Sequence, residues 1–251
     1  MNDKLTLIVE SYLVPSIPSD IFKIICKYIK KELNENFKLK FITTSSGPKI
    51  NDKITADIMF MCTPPFYWLK DSNKNIELIN WAFVFDDPRN NDLPLYFSDV
   101  FVKNDNIKIN KLKDIEGKKW AYNDTESLSG YFCIKNYWDK INLVCSGSHI
   151  ESIKYINNGK VDVSGIDSNA LLFLEHNLKK IATIGPHPIQ PIVINTNSKF
   201  YNSLKKIFAV INYDIETMKN LKKFKIKKFG YVDDTFYFQK YHIRDIINVN
   251  I

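Results

Sequence analysis

Hydrophobic positions along the first third of the chain switch period several times. LTLIVE (5–10) runs apolar, as a strand does. SDIFKIICKYIKKEL (19–33) then places apolar residues at 21, 22, 25, 28, 29 and 33, the stripe of one helix face. FKLKFITT (37–44) predicts a second strand and ADIMFMC (56–62) a buried one, followed by TPPFYWL. IELINWAFVF (76–85) predicts another strand before the turn-rich DDPRNNDLP. Alternation of this kind predicts an α/β fold with a largely parallel sheet.

LYFSDVFVK (95–103) alternates strictly, and after it the pattern starts again. KLKDIEGKKWAYN predicts a helical turn, a glycine and a strand. SGYFCIKNYWDKI predicts a helix, NLVCSG a strand, SHIESIKYINNGK a helix, VDVSGID a strand and SNALLFLEHN a helix. KKIATIGPHPIQPIVINT returns as an extended segment with three prolines. SKFYNSLKKIFAVIN and DIETMKNLKKFKI are expected to be helical, and the chain after Phe229 to be an aromatic, loop-like tail. The expected organisation is two lobes of ordinary domain size. Residues 1–95 and 195–251 form one, residues 100–190 the other, and two extended crossings join them.

A net charge of +7 points towards anionic ligands, nucleic acid or an anionic membrane. The lysines are dispersed over helix faces, without the aromatic-interleaved basic motif of a nucleic-acid reader, so no nucleic-acid partner is expected. No apolar run is long enough to span a bilayer, so no membrane insertion is expected. Cys26, Cys62, Cys133 and Cys145 form no CxxC pair and lie in apolar runs. They read as buried free thiols, with no zinc site. LTLIVESYLVP reaches proline too early for a signal peptide. The expected compartment is cytoplasmic if Met1 is the native start, and periplasmic or exported if a signal was removed.

Chemistry in such a fold gathers where strands hand over to helix N-termini, whose free amides and partial positive charge hold anions. Four junctions qualify. ESYLVPSIPSD carries Tyr12, and MCTPPFYW carries Thr63, Pro65 and Phe66. NDTESLSGY sets Ser127, Ser129 and Gly130 before an apolar-periodic run. CSGSHIESI contains the capping box Ser148–Glu151, with His149 inside it. Each residue also has a plain reading, as a cap, a loop filler or core. Asp86–Asp87 reads as a turn former, and no catalytic motif occurs, so no catalytic residue or cofactor is expected.

WAYNDTESLSGY, GSHIESIKYINNGKVDVSGIDS and IGPHPIQPIVI occur in an order and spacing that resembles the phosphate/phosphite/phosphonate-type substrate-binding proteins of ABC transporters. DDPRNNDLPLYFSDVFVKND resembles that family's approach to its inter-lobe crossing. The resemblance implies a type II periplasmic-binding-protein fold: two lobes, two crossing strands and a ligand in the cleft. It implies that Ser127, Ser129, Gly130, Ser148 and His149 face the ligand, with Asp167 at the next strand end. Tyr12, Thr63, Pro65, Phe66 and Tyr96 match first-lobe and crossing positions. The implied function is a monomeric solute-binding protein closing on a small phosphate- or phosphonate-like or other organic anion, with an ABC permease or a sensor as partner. Asp124 and Glu126 place negative charge beside the anion turn, which argues against a phosphate or phosphonate ligand, and the cleft aromatics suit a larger organic molecule with an amine or ring. The alternatives are an enzyme on the same fold, with His149 as base and Asp167 orienting it, or a ligand-sensing module.

Overall fold

The computed structural model describes residues 5–33, 37–44, 46–72 and 74–247. The chain begins with β1 (Thr6–Ser11), α1 (Ser19–Leu33), β2 (Lys38–Thr43), β3 (Ile58–Phe60), α2 (Thr63–Asp71), β4 (Ile76–Leu78) and β5 (Trp81–Phe85). It continues with β6 (Leu95–Lys103), β7 (Lys119–Tyr122), β8 (Asn142–Cys145), α3 (His149–Asn157), β9 (Val163–Asp167), α4 (Ser168–Leu171) and β10 (Leu178–Pro188). It ends with β11 (Ile192–Asn195), α5 (Tyr201–Val210), α6 (Ile215–Lys222), β12 (Ile226–Tyr231) and α7 (Ile243–Ile247).

Two five-stranded sheets result, ordered β2-β1-β3-β11-β4 and β10-β6-β9-β7-β8. β1 lies parallel to β2 and β3, and β7 lies parallel to β8 and β9. The long crossing strands β6 and β10 pair antiparallel to each other, and β6 runs antiparallel to β9. β11 enters the first sheet antiparallel to both neighbours. Four strands of each sheet therefore share one direction and one, β11 or β6, runs against them, so each sheet is largely parallel, as expected, with a single reversed strand from the segments that cross between lobes.

The helical stripe of α1 is buried at every predicted position, with Cys26 beside it. Phe22 reaches the sheet and meets Phe60 at 4.8 Å between ring centroids. β6 divides its side chains between two small cores of the second lobe. Val100 and Val102 face Trp120 and Ile134 on one side, and Phe101 faces Ile153 and Ile166 on the other. This is the period-two alternation of a strand covered on both faces.

A charged clamp ties the crossing together. Arg89, in the turn after β5, donates through Nη1 to both carboxylate oxygens of Asp99 on β6, at 2.9 and 3.1 Å. Its Nε and Nη2 donate to Asp87, and Thr183 of β10 donates its hydroxyl to Asp99 at 2.6 Å. Asp87 is thus a cap and an arginine partner, in keeping with its reading as a turn former.

Four local expectations change. The run 76–85 breaks at Asn80, whose φ of 66° ends β4 and sends β5 to pair with β12. Only one turn of helix follows β9, as α4. Residues after 225 form β12, and part of the expected loop-like tail is α7. Phe132–Lys140 is a 3-10 run with a non-helical Ile134, not an α-helix. Trp138 Nε1 donates to the Tyr131 carbonyl, and the Tyr131 and Trp138 rings pack tilted at 34° with centroids 4.4 Å apart. Aromatic packing sets this segment's pitch more than backbone periodicity does.

Candidate functional site

β1, β7, β8 and β9 all send their carboxyl ends towards one cavity of about 70 Å³ between the lobes. Tyr12 and the following loop to Ile17, Gly47 and Cys62 wall it from the first lobe. Asn123–Asp124, Glu126–Ser129, Gly147–His149 and Asp167 wall it from the second. Tyr96 and Gln190 close it at the crossing. The volume holds a ligand of a few heavy atoms.

The SLSG turn is held from behind. Trp120 Nε1 donates to the Gly130 carbonyl at 2.8 Å, and Cys133 Sγ donates to the Ser129 carbonyl at 2.7 Å. Ser127 Oγ accepts from the Gly130 amide at 3.0 Å. The amides of Leu128 and Ser129 find no acceptor among the described residues. At the neighbouring junction Ser148 caps α3, accepting from the Glu151 amide at 3.1 Å. The first amides of α3 are left without intrahelical partners, as at any helix start. Gly147 makes the approach at φ +87°, a conformation that favours glycine. His149 is 3% exposed, and its Nδ1 has no hydrogen-bond partner among the described residues. Lobe two thus offers two adjacent sets of N–H groups without protein partners among the described residues, three serine hydroxyls and an imidazole.

Lobe one offers little of this kind. Thr63, Pro64 and Pro65 open α2, and the two prolines have no amide hydrogen to give. Thr63 and Phe66 do not line the cavity. They are buried in the lobe core, where Phe66 meets Tyr237 and Phe238 of the C-terminal segment at 5.7 and 5.6 Å. Pro65 stands beside Gly47, and Gly130 faces Asn123 rather than the cavity. A side chain at Gly130 would meet Asn123 Oδ1 at 2.0 Å, so this glycine serves packing instead of ligand approach. Tyr12, Tyr96, Ser127, Ser129, Ser148, His149 and Asp167 are brought together at one wall or another. Sequence reasoning missed Gln190, Asn123 and Cys62, which fit no cap or motif pattern and reach the cavity only through tertiary placement.

Asp167 is 4% exposed and accepts from the Asn169 amide at 2.7 Å and from Gln190 Nε2 at 2.5 Å. Glu126 bridges the lobes, accepting from the Gly47 amide at 2.7 Å. A Cβ at Gly47 would meet that carboxylate oxygen at 2.6 Å.

Comparison with known proteins decides the family. Residues 19–237 match the model of the ABC-transporter phosphonate periplasmic substrate-binding proteins. The chain belongs to that family. Among curated proteins none matches the sequence. The fold is similar to a binding-protein component of an ABC phosphonate transporter from Pseudomonas aeruginosa, with 18% identity, 97% of this chain and 86% of that one covered, and a TM-score of 0.76. It is also similar to PhnD1 from Prochlorococcus marinus, solved with methylphosphonate, with 17% identity, 96% of each chain covered and a TM-score of 0.74. A Xanthomonas citri protein solved with ATP is similar as well, with 14% identity, 97% and 99% covered and a TM-score of 0.70.

The charge of the cavity wall is one-sided. Among the described residues no lysine or arginine lines the cavity, while Asp124, Glu126 and Asp167 do. Burial lowers His149 to about 4, so its ring is neutral at pH 7. Burial raises Asp167 to about 6, against the hydrogen bonds from Asn169 and Gln190 that favour its charge. Burial, then the nearby Asp124, raises Glu126 to about 7. Burial lifts the Cys133 thiol to about 12, so it is not a thiolate nucleophile at neutral pH. All four cysteines are free, but only Cys26 is buried: Cys62 and Cys133 are half-buried and Cys145 is exposed.

A pH effect follows from the buried histidines. His187, bonded through Nε2 to Ser98 Oγ at 3.0 Å, is lowered by burial to about 4, like His149. An unfolded histidine titrates near 6.5. The unfolded state therefore takes up protons first, and the histidines' contribution to stability is lost as pH falls from about 6.5 through about 4. Asp167, whose folded value is raised, works in the opposite sense as pH falls through about 6. His187→Gln is expected to flatten the histidine part of this acid loss, read as urea midpoints across the same window. An unchanged profile would show that His187 is not held neutral.

Proposed function

We propose that the protein is the substrate-binding component of an ABC importer for a small zwitterion, a phosphonate or phosphoryl compound carrying an amine. The lobe formed by residues 1–95 and 195–251 closes on the lobe formed by 100–190. The observation that carries the ligand class is the charge of the cavity wall. Neutral donors from the SLSG turn and the start of α3 suit an oxyanion. Three carboxyl groups, with no cationic side chain among the lining residues, suit an ammonium group. Family membership supports the phosphonate end, and the small cavity supports a short ligand. A permease partner and an exported location follow from the same family reading.

The mechanism is closure. A ligand that touches both lobes favours the closed state by its differential contacts. Asp167 at the end of β9 is the counter-charge for the amine in this mode, and Glu126 lies on the other side of the cavity, against Gly47.

The test is calorimetric titration with an aminoalkylphosphonate and with the alkylphosphonate of equal length that lacks the amine. The aminated compound is expected to bind at least about tenfold tighter, a difference of about 1.4 kcal/mol. Asp167→Asn is expected to erase most of that preference. Ser129→Ala is expected to weaken both compounds by about tenfold while changing stability by only about 1 kcal/mol. Equal affinity for the two compounds in the wild type overturns the amine assignment. Equal affinity of Ser129→Ala and wild type leaves Ser129 a structural turn residue.

A further inference from the structure

The far end of the first lobe carries a second feature that ligand binding does not use. Between α5 and α6 the chain turns a corner, VINYDI, where Val210, Tyr213 and Ile215 are 48%, 81% and 84% exposed. An apolar residue exposed singly on a surface is ordinary, but three within six positions form a patch. The corner is not loose. Asn212 donates to the Phe229 carbonyl at 2.9 Å and accepts from the Phe229 amide at 2.8 Å, which fixes it to β12. Asp214 caps α6 by accepting from the Thr217 amide at 2.9 Å, and it pairs with Lys31 of α1. The apolar side chains are thus held outward by a backbone anchored on both sides.

The surroundings are basic. Lys206 lies one helical turn before Val210, and Lys219 one turn after Ile215, and both are exposed. Lys27, Lys31 and Lys223 line the groove between α1 and α6 beside Asp214 and Glu216. Asp214 and Lys31 neutralise each other, and Lys31 also stands 3.7 Å from Glu32, so the cations in excess are Lys27, Lys206, Lys219 and Lys223, against Glu32 and Glu216. A rigid knob of one tyrosine and two aliphatic side chains ringed by lysines suits the interface of an anionic bilayer. The ring of tyrosine sits at headgroup level, aliphatic groups enter the acyl boundary, and lysines meet anionic headgroups.

We propose that this corner docks the protein peripherally on an anionic lipid surface. Its position fits the role. Lys31 lies near the far end of α1, about 18 Å along the helix axis from Ser19, which follows the loop at the ligand cavity. A surface held here leaves the cleft free to open and close. The docking is independent of which ligand the cleft takes.

The test is co-sedimentation of the purified full chain with two kinds of vesicle, phosphatidylcholine alone and phosphatidylcholine with about a third phosphatidylglycerol. The expected result is at least about tenfold stronger partitioning to the anionic vesicles, weakened by salt. The double variant Tyr213→Ser/Ile215→Ser is expected to lose most of that partitioning with an unchanged thermal unfolding midpoint, because both side chains are already exposed. Lys206→Gln/Lys219→Gln is expected to weaken it several-fold. Absent partitioning of the wild type, equal partitioning to both vesicle types, or wild-type behaviour of the Tyr213/Ile215 variant would each overturn the proposal.

Discussion

Arg89→Met is expected to lower the unfolding free energy by about 2–3 kcal/mol, read as a fall in urea midpoint at constant slope. The side chain of Asp99 is 5% exposed and takes both Nη1 hydrogen bonds from Arg89. Breaking a buried ion pair by removing one member costs about 3–5 kcal/mol, because the remaining charge stays buried. The expected figure is smaller for two reasons. Arg89 is itself 34% exposed, and Lys180 stands 3.6 Å from Asp99 and takes up part of the charge. Methionine keeps the contact with the Phe97 ring, over which the guanidinium lies at 4.7 Å, so lost packing contributes little. Asp99→Asn in the Arg89→Met background is expected to recover the Asp99 part of the loss only, because Asp87, whose side chain is 10% exposed, loses Arg89 as well. A single variant as stable as the wild type would show that the clamp contributes nothing net.

Gly165→Ala is expected to cost about 1–3 kcal/mol of stability and to weaken ligand binding by at least about tenfold. Gly165 sits in the middle of β9, directly behind the SLSG turn. An added Cβ would lie 2.6 Å from the Ser129 carbonyl oxygen, 3.0 Å from Trp120 Cζ2 and 3.4 Å from Cys133 Sγ. The tightest of these contacts is backbone, so relief requires the turn itself to move. On the proposed binding mode that shifts the Ser129 amide and hydroxyl together. Urea unfolding and calorimetric titration of the same sample separate the two effects. Unchanged affinity alongside reduced stability would place the ligand away from this turn.

Sequence pattern made the architecture readable where an apolar run or stripe has one clear period. The α1 stripe, strands β1 to β3 and the β6 alternation all carry their period openly. It failed where period is ambiguous. The aromatic run 131–138 has spacings that suit either helix type, and its 3-10 form is set by contacts among Tyr131, Phe132 and Trp138. The junction at α2 was legible as a helix start, since Pro64 and Pro65 occupy its first turn. Its inward orientation was not, because Phe66 is covered by residues 237 and 238, far along the chain. In the candidate site, SLSG and GSH declared themselves as turns. Gln190 gave no signal, since its contact with Asp167 depends on how the second crossing lies.

The prolines of α2 have a consequence for the order of events in ligand capture. A helix start with one amide hydrogen in its first three residues cannot compete for an oxyanion with the two donor-rich turns opposite. On the proposed mode the two lobes therefore have different kinetic duties. The first encounter takes place on lobe two, whose SLSG and GSH turns stand ready without it. Lobe one arrives second, and its Tyr12 and Gly47 edge governs how long the captured molecule dwells before it is let go.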